Sequence, residues 1–165
     1  METLEMPAIT ATDTILPEIL ALDFERIKYK LQVKDDGERW TKEQAELGEL
    51  EYKRYLTLIK VYRHRSIVPS QLMDDFWHQH ILDTKAYRED CDQVFGYFID
   101  HFPYFGIYGT EDRQNLLDSF EETKKIYRER FGCEIDRFEA SRCEGHACHV
   151  ESECACRVEG ACKNV

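Results

Sequence analysis

Between Asp74 and His101 the chain gathers an unusual density of side chains that titrate or coordinate: Asp74, Asp75, Trp77, His78, His80, Asp83, Tyr87, Cys91 and His101. A helix that only fills a core does not need so many donors. Imidazoles and carboxylates are ligands for zinc and other borderline transition ions, and the same groups pass protons as general acids and bases. Laid on one regular helix at about 100° per residue, these residues fall into two groups. Leu72, Met73, Phe76, Trp77, Tyr87, Cys91, Val94 and Phe95 share one arc, with His80 near its middle and Asp83 and Thr84 on its flanks. His80 is therefore expected to be buried. His78 lies about 160° away from His80, on the outer side with Asp74 one turn earlier. Two histidines at i, i+2 cannot grip one ion on a regular helix, because shared ligation needs i, i+4 spacing.

The inner group is His80, Asp83, Tyr87 and Cys91. Its plain reading is a core histidine whose ring nitrogens are satisfied by Asp83, the Tyr87 hydroxyl or a carbonyl. Its chemical reading is metal binding, or acid/base work by His80 and Asp83. The outer group is Asp74 and His78, either a solvent-facing i, i+4 contact or a metal site completed by His101 from the following loop. Trp77 and the aromatics Phe102, Tyr104, Phe105 and Tyr108 read as packing. Cys91 sits on the buried arc, where an apolar setting dulls a thiol.

The second concentration of donors is C-terminal: Cys143-x2-His146-x-Cys148-His149-x4-Cys154-x-Cys156-x5-Cys162. The pair Cys154-x-Cys156 can clamp a soft ion, because thiolates favour Cu(I) and Zn(II). No pair of C-x2-C knuckles indicates a zinc ribbon. Metal binding, disulfides or reactive thiols, and an unliganded tail are the readings these residues allow.

The elements that must position the first cluster read as helices. Pro17 opens a segment with Ile19, Leu20, Phe24, Ile27 and Leu31 at helical spacing, ended by the turn Asp35-Asp36-Gly37. Thr41 and Gln44 form a capping-box pattern before a long helix with Leu47, Leu50, Tyr55, Leu58, Ile59 and Tyr62 on one stripe. Gly48 costs that helix about 1 kcal/mol relative to Ala. Val68-Pro69 breaks it, and Ser70 can cap a third helix that carries the cluster. Thr110 caps a fourth, buried through Leu116, Leu117, Phe120, Ile126, Tyr127 and Phe131 and closed by Gly132. Strand patterning is absent, so the expected fold is all-α: about four helices over residues 15–133, a loose segment 1–14, and a Cys/His-rich tail 134–165.

The whole chain has 165 residues and a net charge of -11, with a pI near 5.0. That balance argues against nucleic acid and anionic membranes as partners. The acidic start lacks the basic and apolar regions of a signal peptide, which points to the cytosol, where seven cysteines suit metal or free thiols better than disulfides. No phosphate loop or serine elbow is present.

The run D-x-x-W-H-x-H-x-L-D-T-x-x-Y-x-x-D-C from Asp74 to Cys91 resembles the signature of the glycine-rich domain-containing-protein-like family. His101-Phe102-Pro103, Gly109-Thr110-Glu111-Asp112 and the region around Tyr127 resemble that family's later elements. The resemblance implies an all-helical domain over about Pro17 to Cys133; a Gly-rich extension is replaced here by the Cys/His tail. Residues and resemblance together lead to a cytosolic helical scaffold with a metal-binding or thiol-sensing tail. The alternatives are a metal-dependent enzyme built on Asp74, His78, His80 and His101, and a protein-interaction module. Zinc or another soft or borderline ion is the expected cofactor.

Overall fold

A computed structural model describes residues 14–135; the tail set Cys143, His146, Cys148, His149, Cys154, Cys156 and Cys162 lies outside the described residues. Among the described residues there are six helices and no strand: α1 Pro17–Leu20, α2 Glu25–Val33, α3 Lys42–Val61, α4 Gln71–Leu82, α5 Thr84–Phe95 and α6 Thr110–Phe131. The all-α expectation is met with more breaks than four helices allow. The first expected helix turns a corner between α1 and α2, where Asp23 Oδ1 accepts a hydrogen bond from the Glu25 amide at 3.0 Å. That corner lets Ile19, Leu22 and Phe24 all bury. The third is divided at Asp83, whose carboxylate accepts from the Ala86 amide and so caps α5.

Local capping signals hold where they were strongest. Thr41 Oγ1 accepts from the Gln44 amide at 3.1 Å while Gln44 Oε1 accepts from the Thr41 amide at 2.8 Å. Ser70 caps α4 in the same manner, with the Met73 sulfur as the returning acceptor. Gly132 ends α6 in the left-handed conformation. Thr110 does not cap α6. The N-cap is Gly109, and the nearby carboxylate of Asp112 instead accepts from the amides of Gly106 (2.7 Å) and Tyr108 (3.1 Å). The aromatic loop is thereby tied to the helix that follows it.

Helix α3 runs through the centre and is buried on every side from Glu51 to Leu58. Charges on such a segment must be answered internally. The Tyr127 hydroxyl lies 2.7 and 2.9 Å from the two Glu51 oxygens, and Arg54 Nη1 lies 2.6 Å from Glu51 Oε1. Burial pushes the Tyr127 phenol far above its ordinary range. It therefore stays protonated as the donor to Glu51.

Gly48 has a stronger reason than helix propensity. A Cβ there would stand 2.5 Å from Cζ3 of the buried Trp40 ring and 3.1 Å from Phe76. Gly48→Ala is accordingly expected to destabilise by about 1–3 kcal/mol through overpacking. Helix propensity alone would give a gain of about 1 kcal/mol. The midpoint of urea unfolding distinguishes the two signs.

Candidate metal centre

Helix α4 starts at a capped Ser70, so Asp74 stands in its first turn and His78 one turn further along the same face. The wheel placed this pair toward solvent; the structure buries Asp74 completely and leaves only His78 half-exposed. The reason is the loop after α5, which folds back over this face and seats His101 against it.

Trp77 and Tyr87 hold that loop in place. The indole Nε1 of Trp77 donates to the Tyr87 hydroxyl at 3.0 Å, and that hydroxyl donates to the Ile99 carbonyl at 2.5 Å. The Trp77 and His101 rings then pack with centroids 4.4 Å apart. Trp77 and Tyr87, which the sequence marked as packing and as a possible partner of His80, thus position His101. If an ion is held here, Tyr87→Phe is expected to weaken its binding by up to about tenfold, because the loop that carries His101 loses its tie to Trp77. Zinc titration of the two proteins measures the difference.

Two imidazole nitrogens and the two oxygens of one carboxylate meet at the centre. His101 Nε2 lies 3.0 Å from Asp74 Oδ1, His78 Nε2 lies 3.0 Å from His101 Nε2, and His78 Nε2 lies 3.3 Å from Asp74 Oδ2. The buried Oδ2 has no hydrogen bond among the described residues. One ring proton on His101 cannot satisfy both Asp74 and His78, and a carboxylate only accepts. A cation would satisfy all three groups at once. Bonds of about 2.0–2.1 Å set neighbouring donors about 3.0 Å apart in an octahedron and about 3.4 Å apart in a tetrahedron. The His78–His101 edge and the two histidine–carboxylate approaches, one to each Asp74 oxygen, fall in that interval. Asp74, His78 and His101 are the one set of three or more His, Cys, Asp or Glu residues with metal-ligand spacing among the described residues.

His80 faces elsewhere, inside a cage of Phe24, Tyr52 and Tyr87 rings. Its Nε2 lies 2.8 Å from Asp90 Oδ2 and its Nδ1 lies 2.9 Å from the Tyr52 hydroxyl. Because Asp90 only accepts, Nε2 carries the proton and Nδ1 accepts from Tyr52. Both ring nitrogens are taken, as the core reading required, but by partners other than Asp83, Tyr87 or a carbonyl. The break at Asp83 re-aims α5 and brings Asp90 under the imidazole. Asp83 itself caps α5 and sits 3.4 Å from Arg26. Neither His80 nor Asp83 belongs to the three-donor set.

Burial pushes the His80 pKa below the usual histidine value of 6.5, against the pull of its Asp90 hydrogen bond. Above about pH 6.5 neither folded nor unfolded His80 is charged. Below it the unfolded chain gains a proton that the folded site resists, so stability falls as pH drops toward the lowered folded value. His80→Gln is expected to flatten that decline, measured as thermal midpoints over about pH 5–7.5. Burial likewise raises the Cys91 thiol, which keeps it a poor nucleophile.

Residues 19–125 match the family model described as UCP032817-like, which covers most of the chain. The chain belongs to the UCP032817-like family. The glycine-rich domain-containing-protein-like assignment suggested by the W-H-x-H motif is overturned by this match. The UCP032817-like region contains Asp74, His78 and His101, stops within α6, and leaves out the Cys/His tail. No curated protein and no solved structure matches the chain. Among the described residues no helix is long and apolar enough to cross a membrane.

Proposed function

We propose that the helical body is a metal-binding domain, holding a divalent first-row transition ion through Asp74, His78 and His101. One observation carries the reading: the buried Asp74 Oδ2 has no hydrogen bond among the described residues, lies 3.3 Å from His78 Nε2, and shares its carboxylate with His101, whose Nε2 is 3.0 Å from both Oδ1 and His78 Nε2. Two imidazoles and a carboxylate suit zinc or ferrous iron, and three protein ligands leave coordination positions for water or a substrate. His78, half-buried beside two more enclosed partners, marks the open side. An ion there would act as a Lewis acid or lower the pKa of bound water. A metal-dependent enzyme is thus the class this centre favours over a passive scaffold. The Cys/His tail, with Cys143, His146, Cys148, His149, Cys154, Cys156 and Cys162, would be a separate, softer site.

Elemental analysis of the full-length protein tests this, beside a full-length variant with Cys143, Cys148, Cys154, Cys156 and Cys162 replaced by Ser. The reading expects the Ser variant to keep about one ion per chain. Retention only with the cysteines present would move metal binding to the tail. Metal in neither, with thiols reduced, would favour the interaction module, whose surface would be the exposed aromatics Phe98, Phe102, Tyr104 and Tyr108.

A further inference from the structure

A cavity of ≈ 290 Å³ adjoins the centre without including it: Trp77, Asp100 and Phe102 line it, whereas Asp74, His78 and His101 do not. Tyr55, Tyr97 and Phe105 join Trp77 and Phe102 on a wall that is about as polar as it is apolar. Three charged residues also line it, and their states differ. Arg65 is engaged by Glu122 at 2.6 Å. Arg63 lies over the Tyr97 ring at 5.1 Å and has no acidic partner among the described residues. Asp100 has no ion-pair partner among the described residues either. Among the described residues, then, the cavity presents a guanidinium and a carboxylate with no ion-pair partner, set against aromatic faces.

We propose that this cavity binds a free α-amino acid with an aromatic or large aliphatic side chain. The carboxylate would pair with the Arg63 guanidinium, whose planar fork matches it. The ammonium would meet Asp100 and the π-faces of the neighbouring rings. The apolar side chain would lie against Trp77 and Phe105. A purely anionic ligand meets Asp100 in a protein of net charge -11, and a purely cationic one meets Arg63 and Arg65. Only a ligand carrying both charges uses both groups. The volume is at the low end for small-molecule sites, which fits one such molecule. The proposal does not depend on an ion at the neighbouring centre.

Calorimetric titration of the full-length, chelator-treated protein with three probes tests it: L-phenylalanine, 3-phenylpropionate without the amine, and phenethylamine without the carboxylate. Phenylalanine is expected to bind saturably with Kd of about 1 mM or tighter. Each single-charge analogue is expected to bind at least about tenfold more weakly, as loss of a charge-assisted hydrogen bond implies. Arg63→Gln should abolish the preference over phenethylamine, and Asp100→Asn the preference over phenylpropionate. Both residues are exposed, so the fold should survive, which circular dichroism checks. No saturable binding of phenylalanine, an analogue that binds equally well, or an unchanged affinity in Arg63→Gln would each overturn the proposal.

Discussion

Asp74→Asn should abolish the response of the protein to zinc while leaving the ion-free fold nearly as stable as before. Asparagine keeps the shape of the side chain and removes a buried charge whose Oδ2 has no hydrogen bond among the described residues. Without an ion the asparagine carbonyl can still accept from His101 where Asp74 Oδ1 does, so the ion-free fold should lose little. With an ion the Asp74 carboxylate is the one anionic ligand of the set. Zinc at about 100 times its Kd should stabilise the unsubstituted centre by about 2.7 kcal/mol, and should do nothing for Asp74→Asn. Thermal unfolding with and without zinc, in the background lacking the tail cysteines, reads both effects. An Asn variant that still gains stability from zinc would remove Asp74 from the site.

Glu51→Ala is expected to cost about 3–5 kcal/mol, the size typical of breaking a buried ion pair from one side. Glu51 is fully buried, bonded to Tyr127 and Arg54, and its loss strands the Arg54 guanidinium beneath the Tyr127 and Phe131 rings. Tyr127→Phe should cost less, about 1–3 kcal/mol, because it leaves the Glu51–Arg54 pair intact and removes one donor. Equilibrium denaturation of both variants checks the order. A smaller loss for Glu51→Ala than for Tyr127→Phe would mean that the phenol, and not the ion pair, organises the centre of α3.

These two clusters differ in how legible they were. Asp74 and His78 are four residues apart, so helical periodicity alone puts them on one face, and His101 was a natural third donor by residue type. Periodicity could not show that the face is covered, because the covering loop returns from 27 residues beyond Asp74. The Thr41, Ser70 and Gly132 helix ends were readable because capping is local chemistry. Asp83 carried a capping residue type too, but the apolar pattern runs through it in phase, so one helix was expected where there are two. That break explains why Asp90, and not Asp83, meets His80. Glu51 and Tyr127 are 76 positions apart, and nothing local marks a buried carboxylate that depends on so distant a donor. Gly48 read as a weakness of α3 because the ring that needs its missing Cβ belongs to Trp40, outside the helix.

Zinc-edge X-ray absorption on the Cys-to-Ser full-length protein, loaded with one equivalent, tests the metal centre most directly. The donor set of Asp74, His78 and His101 requires a nitrogen and oxygen shell at about 2.0–2.1 Å with the outer scattering of two imidazoles. That outer scattering should fall to about that of one imidazole when His101 is replaced by Ala. A shell with no imidazole signature, or one unchanged by His101→Ala, would contradict the account.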